Sequence, residues 1–335
     1  MYVITGATGL VGSHLLLDLC RQGHRVRALK RSASSRDSLN RLFGQEAHLL
    51  DLIDWIDADV LDVHSLMDAL KGASHVYHCA AFVSFVPAEV RQMLRVNIDG
   101  TANVVNACLE SGIEKLCHVS SVAAINRINE EETIHEDMPW KVSKENSSYA
   151  IAKYGSEREV WRGVAEGLPA VVVNPSLIIG PGDWHRSSDA IFSKIWNGLR
   201  YYTEGITGWV DVRDVVRSMT HLMDSGITSQ RYIVSAENLP FKTVFDWAAE
   251  CLNKPRPSVY AGKAMRNVAW RTEAIRCKIS NQRPLITRET ALAAGKKVRF
   301  SNSKLKSTIG IEFIPIRDAV ERTCAVFLGE KELRQ

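Results

Sequence analysis

The first 175 residues alternate short apolar runs with longer stretches in which apolar positions recur every three or four residues. The short runs, rich in Val, Ile or Leu, fall at Tyr2 to Thr5, Arg25 to Leu29, Trp55 to Val60, His75 to Cys79, Lys115 to Ser120 and Ala170 to Asn174. Near-continuous apolar character over so few residues predicts strands covered on both faces, as in a parallel sheet. Between the runs, the helical period predicts helices over Leu10 to Arg21, Ala88 to Glu110 and Ser148 to Ala165. Each is closed two residues later by a glycine able to adopt the left-handed cap, namely Gly23, Gly112 and Gly167. Repeated strand-helix units of this kind predict an α/β fold built on a doubly wound parallel sheet in the order 3-2-1-4-5-6. After Pro175 the alternation gives way to a loop rich in glycine and aromatics, Gly180 to Trp209, followed by mixed helix and strand signals.

Composition narrows the class. The chain has 335 residues, 45% hydrophobic and 24% charged, which is globular and long enough for one large domain with a second, smaller one. Seven cysteines, odd in number and never spaced as CxxC, point neither to a disulfide framework nor to a zinc site. A reducing, cytoplasmic setting is expected, and the start Met1-Tyr2-Val3-Ile4 reads as fold rather than as a secretion signal. No run reaches the roughly 18 apolar residues of a membrane span. His75, His78 and Cys79 have ligand-like spacing but fall in an apolar strand, so core histidines are expected and no metal. The acidic run Asp51, Asp54, Asp57, Asp59 and Asp62 reads mostly as a solvated face.

Charge is uneven. Although the net charge is +4, Lys254 to Lys306 holds 14 Lys and Arg against Glu273 and Glu289 alone. Within it Lys263 to Ser280 is expected to be helical, with Met265, Val268, Trp270, Ile275 and Ile279 among its cations. The plain reading is a solvated face, and the alternative is a surface helix touching anionic lipid or an acidic partner. No nucleic-acid-reading motif accompanies the charge.

The first chemical motif is Thr5-Gly6-Ala7-Thr8-Gly9-Leu10-Val11-Gly12, between the first strand and the first helix. Glycines at 6, 9 and 12 allow a tight turn, close approach of backbone to a pyrophosphate, and close helix-strand packing, with the helix N-terminus facing the phosphates. This predicts a Rossmann-type domain over residues 1–175, with a return at about 208–235, and a mainly substrate-binding α/β domain over 176–335. At the end of the second strand an acidic residue would favour NAD, whereas Lys30-Arg31 stands there and would suit a 2′-phosphate, so NADP is expected, with NAD as the alternative. A second constellation is Tyr149-Ala150-Ile151-Ala152-Lys153, whose spacing of four puts phenol and ammonium on one helix face. A nearby cation would lower the Tyr149 pKa and let it relay a proton to a carbonyl oxygen, with Ser120-Ser121 at the end of the preceding strand.

These motifs together resemble the extended short-chain dehydrogenase/reductase superfamily, of the NAD-dependent epimerase/dehydratase type. Asp59-Val60, His78-Cys79-Ala80-Ala81, Asn97 to Thr101, Val173 to Ser176, Gly180-Pro181, Trp209 to Asp214, Ser301 to Lys304 and Ile309-Gly310 are similar too. The resemblance implies that Gly6, Thr8, Gly9, Leu10, Val11 and Gly12 hold the pyrophosphate, that Asp59 and Val60 contact adenine, and that Ala80 and Ala81 line the cofactor. It further implies Lys153 on the nicotinamide ribose, Pro175 beside the nicotinamide, Ser121 on the substrate oxygen, Tyr149 as acid or base, and a homodimer through the helices around Asn97 to Glu110 and Ser148 to Ala165.

Sugar dehydratases of this family carry an Asp-Glu pair after the serine, and this chain has Val122-Ala123, which disfavours water elimination. Asn174-Pro175, Lys30-Arg31 and Gln282 to Thr287 look like the dihydroflavonol-reductase and 3β-hydroxysteroid-dehydrogenase-like branch. A reductase acting on a small carbonyl or alcohol is therefore expected, with Phe82, Phe85, Trp184, Trp196, Tyr201 and Tyr202 in segments on the substrate side. The alternatives are a nucleotide-sugar epimerase that retains NAD and a non-catalytic dinucleotide-binding protein.

Overall fold

Strand pairing builds one large parallel sheet and two small ones. The strands are β1 (Tyr2–Thr5), β2 (Val26–Lys30), β3 (Ile53–Asp57), β4 (His75–His78), β5 (Lys115–Val119), β6 (Ala170–Pro175), β7 (Leu177–Ile179), β8 (Tyr201–Tyr202), β9 (Ile206–Asp211), β10 (Gln230–Val234), β11 (Glu237–Pro240) and β12 (Val259–Tyr260). The large sheet runs β3-β2-β1-β4-β5-β6-β10 with every neighbour parallel. The expected six-strand order is present, and a seventh strand joins beside β6. The computed structural model describes residues 1–125, 132–143, 146–184, 189–280 and 284–332. Gln282 and Arg283, and the side chain of Ile279, lie outside the described residues.

Around the sheet are α1 (Leu10–Arg21), α2 (Asp37–Phe43), α3 (Val63–Leu70), α4 (Val90–Leu94), α5 (Gly100–Glu110), α6 (Ser148–Ala165), α7 (Ala190–Trp196) and α8 (Val212–Asp224). Beyond them come α9 (Phe241–Cys251), α10 (Lys263–Ser280), α11 (Arg288–Ala293), α12 (Ser303–Ile309) and α13 (Ile316–Glu332). Side chains alternate across each strand, so the sheet carries a core on both faces. Ile4, Val171 and Val173 pack with Leu15, Leu16 and Leu19 of α1 and Val215, Met219 and Leu222 of α8. Val3, Ala170 and Val172 pack on the other side with Leu66 and Leu70 of α3, Val104 and Val105 of α5 and Val160 of α6. Fully burying one such aliphatic side chain is worth about 1.5–3 kcal/mol, which explains why the apolar pattern fixes these layers. A third core joins α7, α9 and α13 to Ile179 and Trp209, away from the large sheet.

The long helix expected from Ala88 to Glu110 is interrupted. Between α4 and α5, Arg95–Asp99 forms a π-helical turn, the kind of local widening that often accompanies a functional constraint.

Candidate active site

Because β1 to β3 wind to one side of the sheet and β4 to β6 to the other, a crevice opens at the carboxyl ends of β1 and β4. The glycine turn lies there. Gly6 has φ +66°, and a Cβ on it would stand 2.6 Å from the Ala80 backbone, while a Cβ on Gly12 would strike the Gly6 carbonyl. Only glycines let the turn, the helix start and the loop after β4 meet. Gly9 is the N-cap of α1 and supplies no side-chain cap. The first-turn N–H groups of Leu10, Val11 and Gly12 therefore face the crevice without intrahelical partners, as at any helix start. A cradle that any side chain would fill, plus an uncapped helix N-terminus, fits a pyrophosphate. Thr8 is half-buried on the turn and Gly9 is exposed.

At the neighbouring strand ends, the two expected cations separate in character. Lys30 ends β2 and forms an ion pair with Asp57 at the same level of β3. Arg31, the next residue, is exposed and its guanidinium has no carboxylate partner among the described residues. One of the acidic residues read as a solvated face thus neutralises Lys30, and Asp54 similarly binds Arg27 at 3.1 Å. Asp59 shapes the turn after β3 by accepting from the Leu61 N–H at 2.9 Å, and the Val60 carbonyl accepts from Asn103 at 3.0 Å.

Behind the glycine turn runs a buried polar chain absent from the sequence reading. Thr5 Oγ1 lies 2.7 Å from His78 Nδ1, and His78 Nε2 lies 3.0 Å from Thr101 Oγ1. Thr5 Oγ1 also accepts from the Ala80 N–H at 3.2 Å. Asn97, in the π-helical turn, clamps Phe82 from both sides, its amide donating to the Phe82 carbonyl at 3.0 Å and its oxygen accepting from the Phe82 N–H at 2.8 Å. Ala80 and Ala81, half-buried and exposed respectively, are thereby pinned against the crevice. Burial pushes the His78 pKa down to about 3, so the imidazole is neutral and serves as a connector.

Ser121, Tyr149 and Lys153 meet at the carboxyl end of β5. Ser147 caps α6 by accepting from the Ala150 N–H at 3.1 Å, which sets Tyr149 in the first turn and Lys153 one turn further on. The Ser121 side-chain oxygen accepts from the Ala123 N–H at 3.1 Å, and Ser121 is close enough to the Tyr149 phenol to bear on its pKa. Lys153 is buried and donates from Nζ to the Val119 carbonyl at 3.0 Å. One expectation is corrected here. The Tyr149 pKa is raised by burial and only partly drawn back by Ser121, with Lys153 held on Val119 and not on the phenol. Burial also pushes the Lys153 ammonium down to about 8.

The same helix face continues to Glu157, which sequence reasoning missed. Its carboxylate accepts from Ser120 Oγ at 2.7 Å, Asn174 Nδ2 at 2.9 Å and Arg231 at 2.9 Å. Asn174 also donates to the Ser121 carbonyl at 3.0 Å, so Glu157 ties together the strand ends that present Ser121 and Pro175. Its position four residues after Lys153 was the available signal, since it shares their buried face. Of the six aromatics expected on the substrate side, Phe85 lies 5.7 Å from the Tyr149 ring, centroid to centroid. Trp184 and Trp196 instead pack on Phe327 in the third core, because a ring that large finds more apolar contact there than at an open crevice.

Comparison with known proteins gives three kinds of match. The model of the NAD dependent epimerase/dehydratase family matches residues 2–235. Sterol demethylase protein B of Methylococcus capsulatus is 32% identical over 259 residues, covering 76% of this chain and 75% of that one. A putative dihydroflavonol 4-reductase of Synechocystis is 27% identical over 326 residues, covering 95% and 92%. The crystal structure of gox2253 superposes with a TM-score of 0.82 at 30% identity and covers 98% of each chain. Among the described residues no helix is long and apolar enough to cross a membrane.

Proposed function

Since the chain belongs to the NAD dependent epimerase/dehydratase family and is an NAD(P)-dependent enzyme of the extended short-chain type, we propose that it is an NADP(H)-dependent reductase interconverting a carbonyl and an alcohol on a small, apolar or aromatic substrate. The observation that carries this reading is the meeting of Ser121, Tyr149 and Lys153 beside the glycine cradle, with Val122-Ala123 where an acid pair would serve dehydration. Phe85 against Tyr149 and relatives named for reductases and for sterol demethylation support an apolar substrate. Residues 1–175 with the return at 208–235 form the cofactor side in this reading, and the remainder carries most of the substrate side.

Bound in the cradle, the nicotinamide supplies or accepts the hydride. Gly6, Thr8, Gly9, Leu10, Val11 and Gly12 hold the pyrophosphate with backbone N–H groups, Asp59 and Val60 border the adenine, and Ala80, Ala81 and Pro175 flank the rest. Ser121 orients the carbonyl oxygen and polarises it by a hydrogen bond. Tyr149, protonated at neutral pH because burial raises its pKa, donates the proton that turns the nascent alkoxide into an alcohol. Lys153 places a cation beneath this site and reaches the nicotinamide ribose. Arg31 holds the 2′-phosphate, because Lys30 is already neutralised by Asp57.

Thermal melting with NADPH, NADP, NADH and NAD tests the cofactor, since a ligand that binds only the folded state raises the melting temperature by mass action. The 2′-phosphorylated pair should stabilise selectively, and Arg31→Ser should weaken that pair by about 1.5–3 kcal/mol while Lys30→Ser changes it far less. Release of NAD on denaturing the purified protein, or selective stabilisation by NAD and NADH, would overturn the NADP assignment, and equal loss from both substitutions would overturn the assignment of the 2′-phosphate to Arg31 alone. Consumption of NADPH against a panel of apolar ketones and aldehydes then tests the reaction.

A further inference from the structure

Helix α10 is 18 residues long, and none of its described side chains is buried. Of its half-buried positions, Arg266, Trp270, Glu273 and Cys277 lie along one side at spacings of three and four, with Asn267, Ala269 and Arg276 beside them. The opposite side carries Met265, Val268, Thr272 and Ile275 at the same spacing, with Met265 43%, Val268 60% and Ile275 60% exposed. An ordinary surface helix turns its apolar stripe inward. This one turns it to solvent.

The neighbouring residues enlarge the surface. Leu285 is 72% exposed, and Ile286 and Leu292 are exposed as well. Residues 263–292 thus hold six of the fifteen large hydrophobic side chains that stand exposed among the described residues, which is far beyond their share of the chain. Charge is sorted too. Glu273, the only acidic residue of α10, is bound by Arg276 at 2.8 Å and accepts from the Leu285 N–H at 2.6 Å on the half-buried side. Lys263 and Arg271 are exposed, the Arg271 guanidinium lying 4.6 Å over the Trp270 ring and donating to the Asn267 carbonyl at 2.9 Å, and Arg288 is exposed at the start of α11.

We propose that the outer face of α10, extended by Leu285, Ile286 and Leu292, docks on an anionic lipid surface. Aliphatic side chains flanked by cations, with the acidic residue withdrawn, are the arrangement that buries an apolar stripe among acyl chains while cations meet phosphate headgroups. Pairing of this face with itself in a second copy would bring together two surfaces of the same positive sign, with Glu273 already bound to Arg276 and unable to offset them. A protein hot spot would use an aromatic anchor, and the one aromatic of the helix, Trp270, is turned to the half-buried side. The docking face adjoins the site of chemistry, because Glu289 in α11 accepts from Ser148 N at 3.0 Å and Ser148 Oγ at 2.8 Å, one residue before Tyr149.

Cosedimentation of the full-length protein with phosphatidylglycerol/phosphatidylcholine vesicles and with pure phosphatidylcholine vesicles tests the proposal without reference to catalysis. Binding should favour the anionic vesicles and fall with added salt. The double substitution Lys263→Glu and Arg271→Glu should weaken binding by about fivefold or more per cation. The triple substitution Met265→Ser, Val268→Ser and Ile275→Ser should weaken it at least as much, with melting temperature and cofactor binding unchanged in both variants. Absent binding at low salt, equal binding to neutral vesicles, or unchanged binding by the variants would overturn it. So would a wild-type dimer that ignores vesicles and dissociates on the triple substitution.

Discussion

Helices α6 and α10 are both 18 residues long, and each breaks the inside-apolar, outside-polar rule in the opposite sense. Helix α6 buries Lys153, Ser156 and Glu157, whereas no described side chain of α10 is buried and Met265, Val268 and Ile275 are exposed. Buried polar groups cost free energy unless they are partnered, and those of α6 are, through Val119, Ser120, Asn174 and Arg231. Exposed aliphatics cost little in stability and leave a surface available. In the readings proposed above, the two departures from simple amphipathicity separate two kinds of function, chemistry where polarity goes in and docking where apolarity goes out.

The contrast can be broken at its strongest point by Tyr149→Phe. Turnover should fall by about 10²–10⁴, the usual worth of a general acid, with the NADPH-induced rise in melting temperature retained. Retained turnover would remove α6 from the chemistry. Next in size, Glu157→Ala leaves Arg231 without its buried partner and should cost about 3–5 kcal/mol in denaturant unfolding. If Glu157 positions Ser121, Glu157→Gln should recover much of the stability while lowering kcat, a split that a purely structural role would not give.

Smaller and of opposite sign is Lys153→Met. The folded-state pKa near 8 lies below the ordinary 10.5, so between those values the unfolded chain holds a proton that the folded chain has lost. Wild-type stability therefore rises with pH across that window, and below pH 8 the whole burial cost is present. Lys153→Met should stabilise the protein at pH 7 by about 2–3 kcal/mol while abolishing turnover, with the stability difference closing above pH 10.5. Pulse proteolysis or chemical denaturation over pH 7 to 10 reads this directly. Smallest of all, Val268→Ser or Ile275→Ser on α10 should move unfolding by no more than about 0.5 kcal/mol. A large loss there would mean that the face is covered within the chain.

Much of this was legible in the chain, for reasons that differ by element. The parallel strands β1, β2, β4, β5 and β6 announce themselves by buried apolar runs, whereas the edge strand β3, with Asp54 and Asp57 exposed, runs Ile53–Asp57 in place of the expected Trp55 to Val60, and α1 and α6 are legible because period and closing glycine agree over three or more turns. Tyr149 and Lys153 were read from their spacing and Ser121 from its place at a strand end, and the structure brings the three near one another. The π-helical turn at Arg95–Asp99 was hidden, since one widened turn leaves the apolar period of its neighbours intact. His78 was expected as a core histidine, but its contacts and those of Asn97 and Glu157 were hidden because the partners lie 15 to 74 residues away. The pairing of Lys30 with Asp57 depends on strand register, which the individual strands do not reveal. Trp184 and Trp196 misled for the same reason, their partner Phe327 being more than 100 residues further on.

The contact between Gly6 and Ala80 also bears on how the chain acquires its site during synthesis. These two residues stand 74 positions apart, yet the backbone of one forms the wall of the other. The first strand, turn and helix can form early from local interactions, but the pocket wall exists only when β4 has added beside β1, a long-range pairing that pays loop-closure entropy before it is rewarded. Competence to bind the dinucleotide is therefore a late folding event. A nascent chain shorter than about 80 residues has the glycine signature without its receptor.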